Sequence, residues 1–155
     1  MLKKIIILVY LMLFISCVGQ KEITKINLKD FNGGKLGVYS KLEITKENIY
    51  YVNGNFNSKK ELKGKTSKEL WNNLNRVSID DLLKVKSNPG RIAYDGTDVE
   101  ISISFGDEFF SIVNGEEDTL NYKKIKLFVS ALENQKKVMY QKMQTLKNYS
   151  VLQNP

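Results

Sequence analysis

The amino-acid sequence predicts an α+β fold: an antiparallel sheet of two β-hairpins packed on two helices, in ββαββα order. Three observations carry that expectation. Residues 36–52 and 99–113 alternate apolar and polar side chains with period two on either side of a short polar turn. Each is followed by apolar residues at three-and-four spacing, the helical signature, and the second such stretch is long. The chain has 155 residues, 42% hydrophobic and 26% charged, which suits one packed core and not a disordered polymer.

The N-terminus reads as an address. Lys3 and Lys4 precede eleven apolar or aromatic residues, Ile5 to Ile15. Eleven residues make about 16 Å of helix, too short for a hydrocarbon core of ~30 Å. The segment 1–16 is therefore expected to be a signal peptide. The one cysteine, Cys17, stands at the cleavage point behind the small residue Ser16. Phe14-Ile15-Ser16-Cys17 resembles the bacterial lipobox, with Phe14 where leucine is usual. That resemblance implies cleavage between Ser16 and Cys17 and acylation of the Cys17 thiol by fatty acids such as palmitate. Two or more acyl chains hold a protein on a membrane stably, at ~0.8 kcal/mol per buried CH₂. Removal of sixteen residues leaves 139, with 22 basic and 17 acidic side chains.

Residues 17–35 read as the lipidated N-terminus and a tether, with one possible strand at Ile23–Leu28 and a joint at Asn32-Gly33-Gly34. Residues 36–148 form the single domain. Leu36, Val38, Leu42 and Ile44 share one parity, and Thr45-Lys46-Glu47-Asn48 turns the chain. Ile44 is expected opposite Ile49 and Leu42 opposite Tyr51. The polar residues 53–65 read as a loop. Thr66 with Glu69 fits a capping box for a helix bearing Leu70, Trp71 and Leu74, and Trp71 reads as core. Ser78 opens a second short helix through Leu82 and Leu83, with Asp80 and Asp81 as first-turn acids, and Asn88-Pro89-Gly90 ends it. In the second hairpin Gly106-Asp107 is a two-residue turn. It pairs Phe105 with Glu108, Ile103 with Phe110 and Ile101 with Ile112. From Tyr122 a long helix carries Ile125, Phe128, Val129, Leu132, Met139, Met143 and Leu146 at helical spacing. Residues 149–155 read as a disordered end.

Composition excludes several chemistries. Histidine is absent and cysteine occurs once. Ser-His-Asp and Cys-His nucleophiles, imidazole-bound metals and internal disulfides are therefore ruled out. The expectation is no enzymatic activity, no cofactor and no metal. Asp95 and Asp98 flank a turn that lacks the ligand count of a calcium loop. Of 24 basic residues only two are arginine, Arg76 and Arg91, and no nucleic-acid module is present, so nucleic acid is not an expected partner.

Two surfaces are candidates for a protein partner whose identity the sequence leaves open. If the helices cover one sheet face, the other presents Tyr39, Tyr50, Val52, Phe109 and Val113. Residues 92–122 hold eight acids, Glu116, Glu117 and Asp118 among them, and no lysine or arginine. This makes an acidic lobe on a basic body, suited to docking a complementary surface.

The lipobox start, Leu42-Glu43-Ile44-Thr45 with Ile49-Tyr50-Tyr51, Lys68-Glu69-Leu70-Trp71, Asp95-Gly96-Thr97-Asp98 and Val113-Asn114-Gly115 together resemble small uncharacterised lipoproteins of Bacteroidota. The likeness covers residues 36–132 beyond the leader. It implies an envelope location and a small α+β domain with no assigned activity; the place expected for the lipid-anchored protein is the outer membrane. The function expected is a non-catalytic module that binds a protein or envelope component. The alternative is an inhibitor or immunity-type lipoprotein that neutralises a basic toxin or hydrolase.

Overall fold

A computed structural model describes residues 22–32, 37–90 and 96–152. Residues 1–16, expected to be a signal peptide, together with Cys17 and Asp95, lie outside the described residues. Six strands make one antiparallel sheet: β1 (Ile23–Asn32), β2 (Tyr39–Thr45), β3 (Asn48–Gly54), β4 (Lys59–Lys65), β5 (Thr97–Phe105) and β6 (Glu108–Val113). Their order across the sheet is β4-β3-β2-β1-β5-β6. Helices α1 (Lys68–Leu74) and α2 (Ile79–Lys84) lie between β4 and β5. A 3₁₀ turn (Gly115–Glu117) leads into the long α3 (Thr119–Leu152). The class is α+β, but the ββαββα order on two helices is corrected: among the described residues four strands precede the helices, and three α-helices, not two, pack on the sheet.

Two elements make the difference. The segment read as a tether with one possible strand at Ile23–Leu28 forms β1, the strand that joins the two hairpins, with β2 on one side and β5 on the other. Ile26 sits opposite both Ile44 and Ile103, and Leu28 opposite both Leu42 and Ile101. All six are at most 4% exposed. A register shift between Ile23 and Lys25 breaks the period-two alternation there, so the sequence pattern shows neither the strand's full length nor its central place. The segment 53–65, read as a loop, ends in β4. There Leu62 is a half-buried apolar residue opposite Tyr51, and Lys59, Lys60, Lys63 and Lys65 occupy an edge, where lysine discourages further pairing.

The expected hairpin pairings hold. Ile44 pairs with Ile49, Leu42 with Tyr51, Phe105 with Glu108, Ile103 with Phe110 and Ile101 with Ile112. Gly106 has φ +58°, the left-handed conformation that the two-residue turn needs. Ser78 caps α2, accepting from Asp81 N. At α1 the cap is Ser67, which accepts from Leu70 N at 3.1 Å, and not Thr66. Thr66 Oγ1 donates instead to Thr45 O at 2.8 Å, tying the helix start to the β2–β3 turn. Val38, expected inside, is 45% exposed, because the strand begins only at Tyr39.

All three α-helices pack on one face of the sheet. Trp71 and Leu74 of α1, Leu82 of α2, and Ile125, Phe128, Leu132, Met139 and Met143 of α3 close a core over the β1, β2 and β5 isoleucines and leucines. Each such side chain, fully buried, contributes about 1.5–3 kcal/mol. Leu146, assigned to the same stripe, is 57% exposed. The outer edge of β6 is covered by the chain after α2: Asn88 N donates to Val113 O at 2.8 Å, and Ser87 Oγ accepts from Val113 N at 3.0 Å.

Candidate groove between the long helix and the sheet

The helix-facing side of the sheet is apolar at one end and polar at the other. Along β1 the inward residues run Ile26, Leu28, Asp30; along β2 they run Ile44, Leu42, Ser40; along β3 they run Ile49, Tyr51, Asn53. Asp30 lies opposite Ser40, and Ser40 opposite Asn53. Helix α3 crosses above this polar end with Glu133, Lys136, Lys137 and Tyr140, three and four residues apart and so on one side of the helix. Between helix and strands lies an open groove of about 360 Å³. Its walls are Ser40, Tyr51 and Asn53 from the sheet and Glu133, Asn134, Lys136, Lys137 and Tyr140 from α3.

Lys136 organises the groove. Its Nζ is 2.9 Å from Asp30 Oδ2 and 2.6 Å from Glu133 Oε2. Ser40 Oγ donates to the same Asp30 oxygen at 2.6 Å. The Lys136 and Asp30 side chains are only 19% and 22% exposed. Burial pulls the lysine pKa down, but hydrogen bonds and charge from Glu133 and Asp30 outweigh it and hold the ammonium above the ordinary value. Lys136 is a fixed cation, not a proton acceptor. Ser40 gives its hydroxyl proton to a carboxylate that is already paired, an arrangement without a free base to activate it. Burial raises the Tyr51 phenol, so that this group too stays protonated at neutral pH. The groove presents preset hydrogen-bonding groups at Ser40, Tyr51 and Asn53 beside a lysine held between two carboxylates.

No protein-family model and no curated protein sequence matches the chain.

The sequence-derived surface residues fall in separate places. Tyr39 and Tyr50 occupy the sheet face away from the helices, both half-buried. Lys63 Nζ lies 5.7 Å from the centre of the Tyr50 ring, and Glu61 is hydrogen-bonded to the Tyr50 hydroxyl, raising that phenol's pKa. Val52, on the same face, is buried, and Val113 half-buried. Phe109 is 66% exposed on β6. It is four strand spacings from Tyr50, about 19 Å, so the aromatics do not form one patch.

The acidic stretch is largely engaged within the fold. Asp118 starts α3, accepting from Asn121 N, Asn121 Nδ2 and Lys86 N, and those hydrogen bonds lower its pKa. Glu117 accepts from Asn88 Nδ2, and Glu116 lies beside it in the 3₁₀ turn. Glu100 accepts from Ser102 and Ser111 and pairs with Lys29 at 3.7 Å. Asp98 accepts from the buried Asn114 Nδ2 at 2.7 Å. Among the described residues no three of Asp, Glu, His and Cys gather into a metal-binding group.

The groove residues Asp30, Ser40, Asn53, Glu133, Lys136 and Tyr140 escaped the sequence reading. A signal existed for part of them: Ser40 and Asn53 are polar at positions whose parity points inward. Which strand end α3 would cross depends on long-range packing and is not encoded locally.

Proposed function

We propose that this chain is a lipid-anchored envelope protein whose domain is a non-catalytic binding module, with the groove between α3 and the β2–β3 strands as its ligand site. The anchor is Cys17, exposed by cleavage after Ser16. The observation that carries the binding role is the state of Lys136: a clamped cation beside Ser40, Tyr51 and Asn53, side chains that donate and accept hydrogen bonds. Such a site suits recognition of a polar segment of a protein or envelope component.

The acidic-lobe reading, with an inhibitor or immunity-type role, is supported less. Asp118 and Glu117 accept hydrogen bonds from the chain itself, and Asp98 holds Asn114. The groove reading is tested by placing a photo-reactive phenylalanine analogue at position 140, 50 or 109 in cells that make the anchored protein. One discrete adduct is expected from position 140 and a weaker or absent one from 50 and 109. Adducts from 109 alone move the site to the acidic hairpin, and no adduct from 140 removes the groove from consideration. Metabolic labelling with a clickable fatty acid, wild type against Cys17→Ser, tests the anchor separately.

A further inference from the structure

Helix α3 is apolar on more than one side. About 130° around its axis from the buried stripe runs a second apolar line. Leu120 is 76% exposed, Leu127 88% and Val138 39%. Lysines border this line on both flanks at 100° per residue: Lys124 and Lys142 on one side, Lys123, Lys126 and Lys137 on the other, all exposed. The helix holds seven lysines and one acid, Glu133, which is itself paired with Lys136.

We propose that this outward ridge of α3 lies on an anionic membrane surface. Leu120, Leu127 and Val138 enter the headgroup boundary, and the flanking lysines meet lipid phosphates. Charge selects lipid over the other occupants. A second copy of the chain would set lysine rows against lysine rows with a single paired glutamate between them. A bilayer supplies apolar depth and negative charge together. The ridge stands without the acyl anchor, and the two are geometrically compatible. The six residue steps from Cys17 to Ile23 span about 20 Å when extended. A helix layer is about 10–12 Å thick, so a chain leaving β1 can reach a membrane lying under α3.

The test uses the mature chain from Val18, which keeps every described element and lacks the acylated cysteine. Its binding to phosphatidylcholine–phosphatidylglycerol vesicles and to pure phosphatidylcholine vesicles is compared by co-sedimentation. Binding to the anionic vesicles is expected to be at least ~10-fold tighter and to weaken with salt. Leu127→Glu is expected to lower it by ~10-fold with unchanged circular dichroism and melting temperature, since Leu127 contributes little to the core. Lys46→Glu, in the β2–β3 turn, is the control and leaves binding in place. Equal binding to both vesicle types, no binding, or indifference to Leu127→Glu overturns the proposal. So does a concentration-dependent dimer that Leu127→Glu dissolves, which would assign the ridge to self-association. Acyl mass is not read in any arm, so failure here leaves the Cys17 reading where it was.

Discussion

Single side chains decide whether the two ends of the sheet close. Asn114 is fully buried with φ +49°, a left-handed conformation rare outside glycine and asparagine. Its Nδ2 donates to Asn88 O and Asp98 Oδ1, and its Oδ1 accepts from Val99 N. Asn114→Ala strains the backbone and orphans those partners, so chemical denaturation should show a loss of about 3 kcal/mol. At the groove, Lys136→Met leaves Asp30 with Ser40 alone. The cost should be about 1–3 kcal/mol, and the further change Asp30→Asn should recover part of it. The pH dependence has a definite sign. The Lys136 pKa is raised above 10.5, so the folded state holds the proton more tightly than the unfolded chain. That stability is complete below pH 10.5 and is lost as the pH rises through the folded value. Lys136→Met should therefore flatten the alkaline limb of the stability profile. Glu100 behaves oppositely. Burial pushes its pKa up, but Ser111, Ser102 and Lys29 together bring it below 4.5, so its contribution disappears as the pH falls below that value.

Among the elements, β1 and β4 show where local pattern stops. Both hairpins were legible because turn chemistry and parity act over a few residues: Gly106-Asp107 with Phe105 and Glu108, and Ile44 with Ile49. For β1 the possible strand at Ile23–Leu28 was legible, but not its extent to Asn32 or its place, because its partners come from both hairpins and its irregularity at Ile23–Lys25 interrupts the alternation. β4 carries one inward apolar side chain, Leu62, so its strand state is imposed by β3. The boundary at residue 36 drawn from sequence therefore cuts through the sheet. A chain beginning at residue 36 should fail to fold, giving no cooperative melting transition, whereas a chain beginning at Val18 should melt cooperatively. Ile26→Ala, in the middle of β1, should cost about 3 kcal/mol by the same measurement. Gly37→Ala tests the far corner. There φ is +51° and a Cβ would strike the Phe56 ring, which also meets Phe31 edge-on, so a fall in melting temperature is expected.

At the scale of the whole molecule, the short stretch of sequence between Cys17 and the sheet bounds how far apart the two can lie. The strand joining the two halves of the sheet starts six residues after Cys17, so the domain sits close to whatever holds that cysteine. Its polar groove lies toward the Asp30 end of β1, away from the end where the chain enters the sheet. The pairing of Ile44 with Ile49 and of Phe105 with Glu108 was readable because it follows local parity and turn chemistry. The groove was not, because it exists only where α3 passes over Ser40 and Asn53. The most direct test of the account is the intact mass of the protein purified from its native membrane. The expected result is a polypeptide beginning at Cys17 and carrying the added mass of two or three fatty acyl chains. A polypeptide that still begins at Met1, or one that begins at Cys17 with no acyl mass, contradicts it.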